Sequence, residues 1–391
     1  MTEAVIVAAA RTPIARARKG SLVDVDAFRL AEIVVGEALA RSGIAQDDID
    51  DIVLGESVYG GGDIARYVAV RLGLLDAAGI ADNRHCASGL SAVQFAAATI
   101  RAGMDSVVVA GGTQSSSTSP RSWRAEEPGG EEKPWVSPPA PEMPNAPVYD
   151  MSITVGENTA QELGITRRDV DEWAVYSQAQ AIHSIDTGAF EAEIVPVEYT
   201  DREGNQRVFS VDEHPRRGIT VETLADLKPL HPELANPTVT AGNASGINDA
   251  AAALVVTSDE YASAHGLRPL ARVVSWANVG VEPARTGMGP TVAIPKALAR
   301  AGLTLDDIDL FEINEAFCSV PVAAVRVLGI DPTILNVNGS GCSLGHPIAT
   351  TGARMVVTMV NELRRRGKSH GLLSMCAAGG MGSALVVEAM D

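Results

Sequence analysis

The feature of this chain that most constrains its fold is an internal repeat. Residues 42–57 (SGIAQDDIDDIVLGES) and residues 301–316 (AGLTLDDIDLFEINEA) share a glycine, an Asp-Asp-Ile-Asp run and a glutamate at matching positions. Each segment follows an Ala-rich amphipathic helix, predicted over about 26–42 and about 291–301, and each leads into a short apolar run typical of a buried strand. Such a repeat indicates two copies of one structural unit.

The parallel between the two copies continues along the chain. After the first strand comes Cys86, at the start of an Ala-rich helix predicted over 86–102, and then the apolar strand 107–112. After the second strand comes His346, at the start of another predicted helix, and then an apolar strand within 372–380. Strand–helix–strand units imply parallel strands covered by helices. The sequence therefore predicts an α/β protein with two duplicated halves.

The region between the halves differs in composition. It begins with a Ser-, Pro- and Glu-rich stretch and continues into a helical segment, 165–190, with Thr166 as a good N-cap. Loops this long inside a compact domain are usually functional or mobile. We therefore expect three parts: an N-terminal half of residues 1–114 completed by about 246–268, an inserted loop or cap domain of 115–245, and a C-terminal half of 269–391.

Charge and cysteine content exclude several classes of function. The net charge of −18 would repel nucleic acids and anionic membranes, so neither is expected as a partner. We find no run of about 18 apolar residues that would predict a membrane span, and the N-terminus lacks the basic region of a signal peptide. The four cysteines show no spacing typical of a zinc site or a disulfide framework, so we expect free thiols in a reducing cytoplasm.

Two cysteines lie in segments that favour chemistry. Cys86, within NRHCASGLSA, falls at a predicted helix start, where free amides and the helix dipole favour a thiolate. It is either a nucleophile or a buried structural cysteine. Cys376 ends a predicted strand and meets the Gly-rich turn of CAAGGMGSA. Such turns present amides that bind an oxyanion or a phosphate, although they are also common without function.

Two further segments carry polar residues at strand or helix ends. His346, within GCSLGHPIATTGAR, is followed by Pro347, a good first residue of a helix; a neutral imidazole there either donates one hydrogen bond or is structural. Asn314 and Glu315 directly follow apolar strand residues, as a structural pair or as a site that orders water. Because the repeat puts Cys86 and His346 at matching positions, we expect these segments to converge on one cleft.

Taken together, the four segments resemble the thiolase family over nearly the whole chain. Thiolases carry a Cys block, an Asn-Glu-Ala-Phe block, a Gly-His-Pro block and a terminal Cys-plus-glycines block in this order, and AGNASGINDAAAA (241–253) resembles the family segment that contacts the CoA arm. The resemblance implies a thiolase-like α/β fold, in which two duplicated βαβαβαββ halves form a layered α/β/α/β/α body with an inserted loop domain.

The resemblance also implies the chemistry, which is ping-pong transfer of an acyl group between acyl-CoA molecules. Cys86 would be the nucleophile and acyl carrier, and Cys376 the general acid and base. His346, with a water held by Asn314, would stabilise the enolate oxygen and help to activate Cys86. The backbone amides of Cys86 and Ala378 would stabilise the tetrahedral intermediate. The implied enzyme is an acetyl-CoA C-acyltransferase or C-acetyltransferase of fatty acid metabolism, including β-oxidation.

For substrate binding, the resemblance implies contacts to CoA from Ser245, Met151, Arg216 and Phe317. CoA would be a co-substrate, with no further cofactor and no metal, and the protein would be a cytoplasmic homodimer or homotetramer. The chain departs from the family pattern at Ala378, at Asp150-Met151-Ser152 where short-chain synthetic thiolases often read His-Met-Gly, and at Gly156, which reads as an extra residue. The acyl group and the physiological direction stay open.

Three alternatives accompany this interpretation. A ketoacyl synthase shares the duplicated fold, but it would use histidine or asparagine partners in place of Cys376. A thiolase-like, non-catalytic acyl-CoA or lipid binder would have lost at least one of the four reactive residues, whereas all are present. Cys86, His346 and Cys376 could instead ligate zinc, which the family resemblance disfavours.

Overall fold

The computed structural model of the protein describes residues 2–57, 59 and 62–390. The strands in this part of the chain are β1 (Ala4–Arg11), β2 (Ala15–Arg16), β3 (Asp51–Gly55), β4 (Ile80–Asp82), β5 (Val107–Ser115), β6 (Ser122–Ala125), β7 (Glu132–Trp135), β8 (Val197–Thr200), β9 (Gln206–Phe209), β10 (Asn248–Ser258), β11 (Ala271–Gly280), β12 (Leu310–Ile313), β13 (His370–Ala377) and β14 (Met381–Ala389). The α-helices are α1 (Ala27–Ser42), α2 (Ile64–Arg71), α3 (Ser88–Arg101), α4 (Asn158–Leu163), α5 (Arg167–Asp186), α6 (Val221–Ala225), α7 (Asp259–Ala264), α8 (Gly289–Ala301), α9 (Ser319–Leu328), α10 (Gly341–Leu344) and α11 (Thr351–Arg366).

One large mixed sheet runs through the molecule in the order β12-β13-β14-β11-β1-β10-β5-β3-β4, with β2 beside β10. Its two halves repeat the same pairings. β3 pairs in parallel with β5, as β12 does with β13, and β5 pairs antiparallel with β10, as β13 does with β14. The halves join where β1 meets β11 over two residue pairs, Val5–Arg272 and Ile6–Ala271. The predicted duplication is confirmed.

Helices cover the sheet in the layered arrangement that was predicted. α1 and α2 pack on the outer face of the first half, and α8 and α9 pack on the outer face of the second. Between the two half-sheets, α3 and α11 pack against each other around an apolar core that includes Leu90, Val93, Val356 and Val360. Small Ala and Val side chains on these elements let the layers approach closely.

Two local predictions were wrong. The sheet is not parallel throughout: only three residues separate β13 from β14, too few for a crossover connection, so these strands pair antiparallel. The helix after His346 does not begin at Pro347. The amides of Thr350 and Thr351 both bond to the Pro347 carbonyl in a turn, and α11 begins only at Thr351.

The chain between β5 and β10 forms smaller elements. β6 with β7 and β8 with β9 make two hairpins, and α5 is the longest helix in this stretch. As predicted, Thr166 caps α5, in a reciprocal capping box with Asp169. α5 packs on α10 and thereby lies against the loop that leads to His346.

Candidate active site

Cys86 lies where the first half faces the second. It occupies a 3-10 turn, His85–Ala87, that runs directly into α3, so the sequence was right to place it at a helix start. His85 adopts a left-handed backbone conformation with φ of 47°, which is uncommon for a residue with a side chain and turns the chain sharply before the cysteine. The turn packs against β13 and α11. The half-buried Cys86 thus lies in a turn that packs against the second half.

The protonation of Cys86 differs from the sequence expectation. Burial raises the pKa of the Cys86 thiol, and the backbone N–H groups of Ala378 and Cys86 itself oppose this by favouring the thiolate. Burial prevails, so the resting sulfur is a thiol and not the thiolate that the helix start predicted. The same geometry places the Ala378 amide beside the Cys86 sulfur, as an oxyanion donor requires.

Cys376 is buried near the end of β13, opposite Gly382 of β14. Burial and the neighbouring Cys86 sulfur together raise the pKa of the Cys376 thiol. The two thiols are therefore close enough to interact. The turn that follows bends at Gly379 and Gly380, with φ of 87° and 82°, whereas Ala378 does not adopt positive φ. Alanine at position 378 is thus compatible with this turn.

Asn314 and His346 form a buried pair next to the strand that carries Cys376. The amide N–H of Asn314 bonds to the carbonyl of Ser374 at 3.0 Å, which holds the end of β12 next to the strand that carries Cys376. The side-chain Nδ2 of Asn314 lies 3.5 Å from Nε2 of His346. Oδ1 of Asn314 is buried and has no partner within the part of the chain described here. An unpartnered buried oxygen is suited to accept a hydrogen bond from a water or a substrate.

The imidazole of His346 is held on several sides. Its backbone amide donates to Oδ1 of Asn248 at 3.0 Å, and its Nδ1 lies 2.7 Å from the hydroxyl of Thr351. Burial, and then the charge of Arg354, lower the pKa of His346 to about 4. Arg354 is itself buried against Glu312. The imidazole is therefore neutral at physiological pH.

Glu315, next to Asn314, organises the surrounding loops. Its two carboxylate oxygens accept hydrogen bonds from Trp173 at 2.9 Å and Ser177 at 2.6 Å on α5, and from Asn336 at 2.7 Å and the Cys342 amide at 3.1 Å. All of these groups are buried. Glu315 is therefore a structural anchor that ties α5 to the segment before His346, the structural alternative that the sequence left open.

Ser245 and Arg216, two of the residues expected to bind CoA, line one small cavity of about 40 Å³ together with Gln178 and His214. The Ser245 amide bonds to the carbonyl of Ala316 at 3.0 Å, so this cavity adjoins the block that carries Asn314. Burial, followed by the charges of Arg216 and Arg16, lowers the pKa of His214 to about 4. The cavity therefore carries positive charge in an acidic protein.

Met151 and Phe317, the other two expected CoA residues, do not line this cavity. Both pack against the apolar cluster on the outer face of the second half. Met151 precedes a π-helical turn, Ser152–Glu157, which accommodates Gly156 as one extra residue in the helical path. A Cβ on Gly156 would lie 3.0 Å from the Phe317 ring and 2.6 Å from Val239, so only glycine fits there without a shift.

Asp150 and Ser152, which depart from the thiolase sequence pattern, belong to a separate polar cluster. The Ser152 hydroxyl lies 2.5 Å from Asp150 and 2.6 Å from Nε2 of His231, and Nδ1 of His231 lies 3.0 Å from Glu233. His231 gave no signal in the sequence, because it lies about 80 residues away in a stretch without repeat or motif. The sequence likewise gave no reason to single out Thr351.

The described residues contain neither a cluster suited to bind a metal ion nor a helix suited to span a membrane. No three His, Cys, Asp or Glu residues among the described ones cluster in a way that would hold a metal ion. Within residues 2–57, 59 and 62–390, no helix has both the length and the apolar character needed to cross a membrane.

Comparison with known proteins accounts for nearly the whole chain. The sequence profile of the thiolase N-terminal domain matches residues 4–260, and that of the thiolase C-terminal domain matches residues 267–389. The chain is 41% identical to an acetyl-CoA acetyltransferase of Syntrophomonas wolfei, over 99% of each chain. It is 40% identical to a 3-ketoacyl-CoA thiolase of Bacillus subtilis, over 99% of this chain and 100% of the other. The chain belongs to the thiolase family.

Solved structures give the same result. The acetyl-CoA acetyltransferase of Bacillus anthracis superposes with a TM-score of 0.92 at 40% identity, covering 100% of this chain and 99% of the other. Human mitochondrial 3-ketoacyl-CoA thiolase in complex with CoA superposes with a TM-score of 0.90 at 34% identity, covering 100% and 98%. The predicted thiolase-like fold is confirmed.

Proposed function

We propose that this protein is a catalytic thiolase, which cleaves a 3-ketoacyl-CoA with CoA or condenses two acyl-CoA molecules. The observation that carries the proposal is the meeting of two thiols, Cys86 and Cys376, with the Ala378 amide beside the first. The buried pair of Asn314 and His346 is held next to β13, the strand that carries Cys376. A non-catalytic binder has no need for this constellation, and a ketoacyl synthase has no need for the second thiol.

The thiols of Cys86 and Cys376 have different roles in the proposed reaction. In the cleavage direction, the Cys86 thiolate attacks the 3-keto carbon, the bond between C2 and C3 breaks, and acetyl-CoA leaves as its enolate. The Cys376 thiol protonates the enolate carbon and becomes a thiolate. That thiolate takes the proton from the thiol of CoA, whose sulfur then attacks acyl-Cys86 and releases a shortened acyl-CoA. In the condensation direction, the Cys376 thiolate removes the α-proton of acetyl-CoA instead.

Two oxyanions form along this path, and each has its own donors. The tetrahedral intermediate on Cys86 takes hydrogen bonds from the backbone amides of Cys86 and Ala378. The enolate oxygen takes hydrogen bonds from His346 and from a water held by Asn314. The unpartnered Oδ1 of Asn314 supports this role. His346 also serves to deprotonate Cys86, whose thiol is the resting form.

For CoA, we propose that Ser245 contacts the pantetheine arm and that Arg216 contacts phosphate. The charges of Arg216 and Arg16 beside the Ser245 cavity support this assignment, because the protein as a whole is strongly acidic and a phosphate needs local positive charge. Met151 and Phe317 would contact the arm from the neighbouring apolar cluster. We propose no further cofactor, because a thiol, an imidazole and backbone amides supply every step.

A second copy of the chain is the expected partner. β4 ends the sheet and pairs only with β3 among the described strands, and around it Ile80, Tyr67, Val70 and Phe95 expose between 46% and 51% of their surface. An exposed sheet edge with apolar neighbours favours self-association. We propose a cytoplasmic homodimer or homotetramer, consistent with the four free thiols. Light scattering after gel filtration measures the oligomeric state.

The test of the function is CoA-dependent cleavage of acetoacetyl-CoA and of a longer 3-ketoacyl-CoA, by wild type and Cys86→Ala in parallel. We expect cleavage by wild type only, and the ratio of the two rates assigns the chain-length class. Cys318→Ala, which removes a buried thiol outside the site, is the matched control and should cleave like wild type. Absence of cleavage by wild type on both substrates would contradict the proposal for straight-chain substrates.

A further inference from the structure

The two nitrogens of His346 have different partners. Nδ1 lies 2.7 Å from the hydroxyl oxygen of Thr351, and Nε2 lies 3.5 Å from the side-chain nitrogen of Asn314. Thr351 is completely buried and His346 is 6% exposed, so bulk water does not compete for these contacts. The position of the imidazole proton is therefore set by the protein.

The hydroxyl of Thr351 decides where that proton sits. Its oxygen also lies 2.9 Å from the carbonyl oxygen of Pro347, one turn earlier. A carbonyl only accepts, so the single hydroxyl proton points to Pro347 and the lone pairs of the oxygen face His346. Nδ1 then carries the imidazole proton and donates it to Thr351. Nε2 is left bare, which suits its other neighbour, because the Asn314 amide nitrogen is a donor.

This tautomer bears on the two roles proposed for His346, because they require opposite states of Nε2. Removing the proton of Cys86 requires a bare Nε2. Donating to an enolate oxygen requires Nε2–H. With Nδ1–H fixed, the ring starts as a base; once Nε2 has accepted the thiol proton, the imidazolium donates from the same atom. The proton moves from Sγ of Cys86 to Nε2, and Thr351 accepts from Nδ1–H throughout.

We propose that Thr351 is a positioning residue that fixes His346 in the Nδ1–H tautomer, so that Nε2 first accepts the Cys86 proton and then serves as the oxyanion donor. The inference rests on the proposed function for its catalytic consequence. The tautomer itself is independent of it.

The first test is ¹⁵N NMR of the full-length wild-type protein with ¹⁵N-labelled histidine, which distinguishes protonated from bare imidazole nitrogens. The His346 signals are assigned by their loss in His346→Asn. We expect Nδ1 protonated and Nε2 bare at neutral pH. Protonation at Nε2 in the wild type would overturn the proposal. This experiment needs no substrate, so it decides the tautomer even if the protein cleaves no 3-ketoacyl-CoA.

The second test compares three variants in steady-state cleavage of acetoacetyl-CoA. Thr351→Val keeps the shape but removes the acceptor for Nδ1–H; we expect Nε2–H to appear in the spectrum and kcat to fall about 100-fold, as for loss of a well-placed proton acceptor, with little change in KM. Thr351→Ser keeps the hydroxyl and should restore both the tautomer and kcat. Thr350→Val is the matched control, because the neighbouring hydroxyl bonds at 2.8 Å to the carbonyl of Ala250 and not to His346.

The possible outcomes distinguish a positioning role of Thr351 from a role in packing alone. If Thr351→Val keeps the wild-type tautomer and kcat, or if Thr350→Val loses as much kcat as Thr351→Val, the proposal is wrong. If Thr351→Val does not fold, Thr351→Ser and the wild-type spectrum still decide, because the proposal requires Nδ1–H in both. A wild type with Nδ1–H but no cleavage would instead contradict the proposed function and leave the tautomer assignment standing.

Discussion

The two halves of this molecule repeat the same strands and helices, yet they differ at the residues just beyond the matching strands. β3 ends at Gly55 and is followed by Glu56, whereas the matching positions after β12 are Asn314 and Glu315. Glu56 accepts a hydrogen bond from the amide of Ile64, the first residue of α2. Glu315 instead binds four groups, two on α5 and two in the segment between β12 and His346. The duplicated halves thus keep the same apolar strands, while the residues at the strand ends make different contacts.

The residues that precede α3 and α11 also differ between the two halves. In the first half, Cys86 lies in a turn that runs directly into α3, half-buried and beside the amide of Ala378. In the second half, His346 lies five residues before α11 and is held by Asn248 and Thr351. One half thus presents a reactive sulfur, and the other presents a fixed, neutral imidazole.

The largest expected effect concerns the thiol contributed by the second half. Cys376→Ala removes the acid and base that serves the enolate carbon, so we expect kcat for acetoacetyl-CoA cleavage to fall by about 1,000-fold. Cys86 should still take up an acyl group, because its oxyanion donors remain. Steady-state kinetics measure the first effect. A variant that turns over within about tenfold of wild type would contradict the role of Cys376.

The next effect contrasts the two matching glutamates. Glu315→Gln replaces one carboxylate oxygen with an N–H₂ group. This group cannot accept hydrogen bonds from the donors that face that oxygen in wild type, so we expect the free energy of unfolding to fall by about 2–4 kcal/mol. Urea denaturation at pH 7 measures the loss. A variant as stable as wild type would show that this network is not the anchor of the second half.

Glu56 should behave differently because its titration is coupled to folding. Burial raises the pKa of Glu56 from 4.5 to about 7. The neutral form is therefore favoured in the fold, and the stability that it contributes is complete below about pH 4.5 and lost as the pH rises through about 7. Relative to wild type, Glu56→Gln should gain up to about 3 kcal/mol between pH 4.5 and pH 8. Parallel urea titrations at the two pH values check this, and a constant difference would refute it.

A third effect compares Asn314 with Gly55. Asn314→Ala removes the amide beside His346, and we expect kcat to fall about 100-fold with little loss of stability. Gly55→Ala adds a Cβ that would lie 2.7 Å from Cβ of Ser88 and 2.9 Å from the Ala349 carbonyl. This overpacking should cost about 1–3 kcal/mol of stability. Steady-state kinetics and thermal unfolding of both variants test these two expectations. A lower stability for Asn314→Ala than for Gly55→Ala would contradict them.

The smallest effect separates two adjacent arginines. Arg217 pairs with Asp186 at 2.5 Å, whereas Arg216 lines the cavity that contains Ser245. Arg216→Ala should raise KM for CoA about 5- to 10-fold, the magnitude of one partly screened charge contact to phosphate. Arg217→Ala should leave KM within about twofold of wild type. Equal effects of the two substitutions would remove Arg216 from the CoA site.

Much of the fold could be predicted from the sequence, because apolar periodicity and the repeated Asp-Asp-Ile-Asp turn are local signals. The capping of α5 by Thr166 and the placement of Cys86 before α3 were predicted for the same reason. The start of α11 was not, because Pro347 fits a tight turn as well as the first position of a helix. The extra residue at Gly156 was recognised, but its π-helical turn and its close packing against Val239 and Phe317 carry no local sequence signal. The domain limits stay a prediction.

The identity of the candidate site residues could be predicted from the sequence, but the pKa values of their side chains could not. The motifs pointed to Cys86, Cys376, Asn314 and His346; the structure places Cys86 near Cys376 and the side chain of Asn314 near that of His346. The direction of the pKa shift of Cys86 could not be deduced, because burial arises only on folding and outweighs the amides of Ala378 and Cys86. Thr351 escaped notice because a hydroxyl five residues after a histidine carries no signal until the turn is folded. The catalytic roles of these residues stay predictions.

The central claim is that Cys86 alone carries the acyl group, and one measurement tests it most directly. Cys376→Ala is incubated with acetyl-CoA, digested, and analysed by mass spectrometry of the segments that contain the three remaining cysteines, Cys86, Cys318 and Cys342. We expect one acetyl group, in thioester linkage at Cys86, and none when Cys86 is also replaced by alanine. Acetyl on Cys318 or Cys342, or no acetylated cysteine at all, would contradict the assignment of Cys86 as the nucleophile.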